Sequence, residues 1–185
     1  RQGWPNQPLR LYGAGADSGT FDYFTEAIVG KAKAIRTDYQ PTEDDNVTIK
    51  GVAGDTYAMG FLGYAYYEEN KDKVKAVAID HGKGCVLPSR ETVLDGTYQP
   101  LSRPLFIYVN VKSLDRPEVQ AFVDFYLSPA ARRAIRSTGY VELPSEAYRI
   151  GQELVKRRKA GTFFMELPAG TPLSKFIQEL DKELR

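Results

Sequence analysis

The stretch from Leu9 to Gly30 constrains the fold more than any other part of the chain. A short apolar segment, Leu9 to Tyr12, runs into a turn of small and polar residues, Gly13-Ala14-Gly15-Ala16-Asp17-Ser18-Gly19-Thr20. Phe21, Phe24 and Ile28 then recur at the spacing of one helical face. Gly30 is a natural helix stop, because glycine enters the left-handed region at no steric cost. A strand that turns at once into a helix is a building unit of α/β folds, so this segment already selects the fold class.

The rest of the chain repeats that alternation. Ala58 to Phe61 and Val74 to Ile79 are expected as strands. The apolar run Leu105-Phe106-Ile107-Tyr108-Val109 predicts a strand covered on both faces. Helices are expected over 47–53, with Asp44, Asp45 and Asn46 as caps, and over 63–70. Glu91 to Leu94 reads as a helical turn. Val119, Phe122, Val123, Tyr126 and Leu127 form a helical stripe behind Pro117, a residue tolerated in a first turn. Further helices are expected from Ser128-Pro129 through Ile135, from a Ser145 cap to about Lys159, and over 173–184. Residues 37–46 and 161–171 read as irregular. No internal repeat or low-complexity segment interrupts the order.

Composition excludes several classes. The net charge of +1 lacks the basic excess of a nucleic-acid binder, and 12% aromatic residues argue against disorder. No apolar run approaches the ~18 residues of a membrane span. Cys85 is the single cysteine, expected as a small buried residue, and it can form neither an internal disulfide nor a metal cage. His81 is the single histidine and sits in the turn-like His81-Gly82-Lys83-Gly84. No metal or other cofactor is expected. The first residues, Arg1-Gln2-Gly3-Trp4-Pro5, do not form a signal peptide, which fits a mature or truncated chain and leaves the destination open.

Asp17-Ser18-Gly19-Thr20 carries the chemistry. The first amides of a helix lack intrahelical acceptors, and the helix dipole adds partial positive charge there. Together they hold phosphate-like groups. Gly19 allows close approach to the backbone, and the hydroxyls of Ser18 and Thr20 suit a dehydrated oxyanion. The same four residues also serve as an ordinary N-cap, and the pattern alone leaves both readings open.

As a whole the sequence resembles the phosphate-binding proteins of bacterial phosphate ABC transporters. The resemblance rests on Asp17-Ser18-Gly19-Thr20 with Phe21 to Thr25, on Asn46 to Tyr67, on Tyr98 to Val109, and on Gly139-Tyr140-Val141-Glu142-Leu143-Pro144. It implies an α/β fold of the periplasmic binding-protein type II class, with a mixed sheet flanked by helices and a cleft between two lobes. Residues 1–103 are then a second-lobe anion-binding region, and residues 104–185 a return strand and helices packing toward the first lobe. The implied phosphate ligands are Ser18, Gly19 and Thr20, with Asp17, Phe21 and Arg36 as secondary candidates. Arg36 enters because the family commonly carries an arginine four residues before the serine, where this chain has Ala14. The family's N-terminal lobe segment, with further hydroxyls, amides and an acidic residue, is missing, so weak phosphate binding, or none, is expected of this chain alone.

The implied function is capture of inorganic phosphate for an ABC importer, with permease subunits as partners and a periplasmic or cell-surface location. Neither nucleic acid nor catalysis is implied. Membrane contact would come through the transporter, or through a lipid anchor outside this chain. Two other oxyanions, sulfate and molybdate, are alternative ligands. A serine hydrolase built on Ser18 with His81 as base is a third reading, and it lacks the Gly-x-Ser-x-Gly frame. A structural domain without a ligand is the fourth.

Overall fold

A computed structural model describes residues 3–161 and 167–185. The chain divides into two compact units, Arg1–Val77 and Ala78–Arg185.

The first unit is built on a parallel sheet of three strands, β1 (Arg10–Ala14), β2 (Gln40–Thr42) and β3 (Ala58–Phe61), in the order β2-β1-β3. Helix α1 (Gly19–Val29) joins β1 to β2, α2 (Asp45–Ala53) joins β2 to β3, and α3 (Tyr64–Glu69) follows β3. Register pairs Tyr12 with Gln40 on one side of β1 and with Gly60 on the other. Side chains of successive strand residues point to opposite faces. On one face the Phe61 ring lies over Gly13 and stacks on Phe24 of α1 at 4.1 Å between centroids. On the other face the Tyr12 ring covers Gly51 of α2, while the methyls of Thr48 and Val52 abut Gly60. Glycine at 13, 51 and 60 thus lets rings and helices close on the sheet. The core of this unit is Ala14, Phe21, Thr25, Thr48, Ile49 and Ala65.

Helix α1 starts on Ser18 and ends on Gly30 at φ 78°, the left-handed stop expected from glycine. Its inner face differs from the expected one. Phe21 is buried, but Ile28 is 51% exposed, and Thr25 takes its place in the core. The Thr25 hydroxyl donates to the Phe21 carbonyl at 2.9 Å and accepts the Lys33 amide at 2.7 Å, so its polar atom is satisfied inside the unit. Asp44 caps α2 by accepting the Asn46 amide at 2.9 Å.

The second unit is mostly helical. A two-stranded antiparallel ribbon, β4 (Ile79–Asp80) with β5 (Cys85–Val86), precedes α4 (Arg90–Leu94). A 3₁₀ turn over Val111–Asp115 leads into α5 (Pro117–Tyr126), α6 (Pro129–Ser137), α7 (Ser145–Lys156) and α8 (Leu173–Leu184). Pro117 and Pro129 stand at the first positions of α5 and α6. Its core includes Leu114, Val123, Ala131, Ala147, Tyr148 and Ile150. Glu142 is 7% exposed and ties α4 to α6: it accepts hydrogen bonds from the Arg90 guanidinium and from Arg136 Nη1, the latter at 3.0 Å. The basic run after α7 is spent internally. Arg157 donates to the Leu184 carbonyl, Arg158 to Asp115, and Lys159 pairs with Glu183.

Several expectations are corrected here. Of Val74 to Ile79 only Ile79 is in a strand, because the ribbon is two residues long on each side. Leu105 to Val109 enter no ladder among the described residues, and Leu105, Phe106, Ile107 and Tyr108 are 57%, 41%, 40% and 79% exposed. An apolar run becomes a strand only where backbone groups of a neighbour are at hand to pair with it. Cys85 is exposed, since the ribbon is too short to enclose a side chain. Ser145 is the first residue of α7 rather than its cap; its hydroxyl accepts from Arg132 Nη1 at 2.7 Å. Phe122 is 63% exposed, and Val123 alone of the α5 stripe is fully buried. Among the described residues the three-stranded sheet is parallel and the two-stranded ribbon antiparallel. The expected irregular segment 161–171 includes residues 162–166, which lie outside the described residues.

Candidate anion-binding site

The order β2-β1-β3 makes β1 the central strand: the connection from β1 leads to β2 on one side, and the connection from β2 crosses back to β3 on the other. In open α/β sheets ligands bind outside the carboxyl ends of the strands at such a reversal. The loop in that position is Gly15 to Ser18, between the end of β1 and the start of α1. A Cβ on Gly15 would lie 2.1 Å from Glu43 Oε1, the end of a side chain that lies over this loop. The Gly15 amide donates to the Thr42 carbonyl at 3.1 Å, and the Ser18 amide donates back to the Gly15 carbonyl at 3.1 Å.

Ser18 is the N-cap of α1, and its hydroxyl oxygen accepts the Thr20 amide at 3.2 Å. Helix geometry leaves the amides of Gly19 and Phe21 without intrahelical acceptors. Gly19 is exposed, and Ser18 and Thr20 are half-buried. The segment therefore presents backbone donors and two hydroxyls at an accessible helix start, and the capping and anion-holding readings share one geometry.

The secondary candidates separate. Asp17 is exposed beside the cradle, and its amide donates to Glu43 Oε1 at 3.4 Å. Phe21 is 3% exposed, its ring parallel to that of Tyr39 at 6.4 Å, so only its backbone belongs to the cradle. Arg36 follows α1 and precedes β2, and its guanidinium donates to Asp38, from Nε at 2.7 Å. Both partners of that pair are more than 60% exposed. His81 lies in the ribbon turn of the second unit, where Asp80 accepts the amides of Gly82 and Gly84 at 2.8 and 3.0 Å.

Two residues at this end of the sheet escaped the sequence reading. The Tyr39 hydroxyl donates to the Ala14 carbonyl at 3.4 Å, and Glu43 covers Gly15. They flank β2, a three-residue strand containing Pro41, too short for any alternation to register. Burial, and then the charge of Glu43, push the Tyr39 phenol above its ordinary pKa, which keeps it protonated. Burial and the charges of Asp44 and Glu43 likewise raise the Asp45 carboxyl.

A family model described as "PBP superfamily domain" matches residues 2–130. The chain is 50% identical over 181 residues to "Protein SphX" of Synechocystis sp., an alignment covering 95% of this chain and 54% of that relative. It is 36% identical over 148 residues to "Phosphate-binding protein PstS" of Staphylococcus haemolyticus, covering 79% of this chain and 45% of that one. Among solved structures, that of "a possible phosphate binding protein" from Planctomyces limnophilus superposes with a TM-score of 0.69 at 44% identity, covering 86% of this chain and 57% of the other. The chain spans about half the length of the curated relatives it matches. The match extends over more than half of the chain, and with the parallel sheet and the helix-start cradle already in place it settles the classification: the chain belongs to the PBP superfamily.

Proposed function

We propose that this chain is the second-lobe and return portion of a solute-binding component of a phosphate ABC importer, and that Ser18, Gly19 and Thr20 hold inorganic phosphate. The observation that carries this reading is the accessible start of α1, with its hydroxyls and uncommitted amides, at the carboxyl end of the central strand. Relatives whose names speak of phosphate binding support the choice of oxyanion. Residues 1–103 form the anion-binding region in this reading, and residues 104–185 return toward the other lobe. Capture rather than turnover is the role assigned. Permease subunits of the importer are the proposed partners, and the proposed location is outside the cytoplasm. No helix among the described residues is long and apolar enough to cross a membrane.

Binding would work by replacement. The anion takes the amides of Gly19, Thr20 and Phe21, and the Ser18 hydroxyl turns from accepting the Thr20 amide to donating to the ligand. Such charge-assisted bonds are stronger than neutral ones. The helix dipole contributes in the same direction without a titrating group.

Calorimetry on the full-length protein with phosphate, sulfate and arsenate tests the reading. Ser18→Ala removes the hydroxyl and is expected to weaken phosphate binding by about 1–2 kcal/mol, roughly five- to thirtyfold. An affinity within a factor of two of the unsubstituted protein, or preference for sulfate, would sink it.

A further inference from the structure

We infer that the Tyr39 hydroxyl is an additional donor to the oxyanion held at Ser18–Thr20, a step that rests on the proposed reading of that site.

Tyr39 precedes β2, yet its hydroxyl reaches the carbonyl of Ala14, the last residue of β1, and the next residue opens the anion loop. The ring runs parallel to Phe21, the third residue of α1, with 8° between planes. Phe21 is 3% exposed and fixed in the core, so the ring's position is set from below. The hydroxyl therefore stands between the end of the strand and the start of the helix, the two elements that frame the cradle.

Its present bond is weak. A donor–acceptor distance of 3.4 Å is beyond the usual range for a hydroxyl, so redirecting the proton to a charged acceptor loses little. Tyr39 is half-buried, and a donor in a partly dry site counts for more than one in water. Burial and the charge of Glu43 keep the phenol protonated, and so a donor, throughout the physiological pH range.

The other groups nearby leave a need for such a donor. Glu43 lies across Gly15 and can only accept hydrogen bonds while ionised. Lys33 stands 4.0 Å from Asp22 in the first turns of α1, and Arg36 is held by Asp38. A small tetrahedral anion at this helix start is met by neutral donors, and Tyr39 offers a side-chain one at the root of the loop.

The test is calorimetry with inorganic phosphate on the full-length protein carrying Tyr39→Phe, run beside Ser18→Ala. Phenylalanine keeps the ring against Phe21, so the melting temperature without phosphate should stay within about two degrees of the parent. Affinity is expected to fall about tenfold. Phosphate should also perturb the tyrosine absorbance of the parent, with that signal reduced in Tyr39→Phe. If Ser18→Ala weakens binding while Tyr39→Phe stays within twofold, the cradle stands and the Tyr39 role is overturned. If Tyr39→Phe loses affinity only together with a large drop in melting temperature, the residue is structural and the inference fails. If Ser18→Ala has no effect, or the parent binds no phosphate, both readings fall.

Discussion

Replacing Glu142 by glutamine removes a carboxylate that faces both Arg90 and Arg136. The hydrogen bond and charge of Arg90, reinforced by Arg136, hold the Glu142 carboxyl at about 2, against an ordinary glutamate value of 4.5. At ~1.4 kcal/mol per pH unit, that gap sets a ceiling of about 3.4 kcal/mol on the stabilisation from ionised Glu142. Both arginines are about half exposed, at 52% and 45%, so water screens part of it. The expected net loss in Glu142→Gln is therefore roughly 2 kcal/mol at pH 7. The sign follows from linkage: a carboxyl whose pKa is lowered by folding stabilises the folded state above its unfolded value and loses that contribution as pH falls. The difference between parent and variant should be constant above about pH 5.5 and shrink toward nothing near pH 2. Urea unfolding of both proteins between pH 7 and pH 3 measures it. A difference that does not shrink on acidification would show that the variant suffers from packing rather than charge, and would refute the reasoning.

Two further substitutions probe the scaffold beneath the anion loop. Thr25→Val keeps the shape of a 1%-exposed residue but strands the Lys33 amide that bonds to the hydroxyl, and should cost about 2 kcal/mol in urea unfolding; a change under half that would mean the amide finds another acceptor. Gly13→Ala drives a methyl to within 2.2 Å of the Phe61 ring, which is itself stacked on Phe24, and should cost about 1–3 kcal/mol in thermal unfolding; an unchanged melting temperature would mean the ring moves freely.

The elements that were legible in the sequence are those fixed by contacts close along the chain. Helix α1 is bounded by Ser18 and Gly30, and α2 is opened by Asp44; each boundary rests on a bond within a few residues. The β3 span of Ala58–Phe61 and the α8 span of Leu173–Leu184 were read to the residue. The start of α1 was legible for the same reason, since the Ser18 hydroxyl accepts an amide only two residues on. What failed depended on partners distant in sequence. Leu105 to Tyr108 carry every local mark of a strand yet form no strand among the described residues, because no residue can supply its own ladder. β2 was read as loop, since three residues around a proline show no period and only alignment beside β1 defines them.

The sequence by itself therefore determined an α/β chain whose first helix opens on an anion-suited start. Local rules of capping and periodicity suffice for that. Only the tertiary structure decided what surrounds the start: the reversal at β1, the carboxylate of Glu43 over Gly15, and the hydroxyl of Tyr39 against Ala14, while Arg36 stays with Asp38. Those neighbours come from residues some twenty-five positions away, brought in by parallel strand pairing, and pairing is a property of two segments that neither one encodes alone.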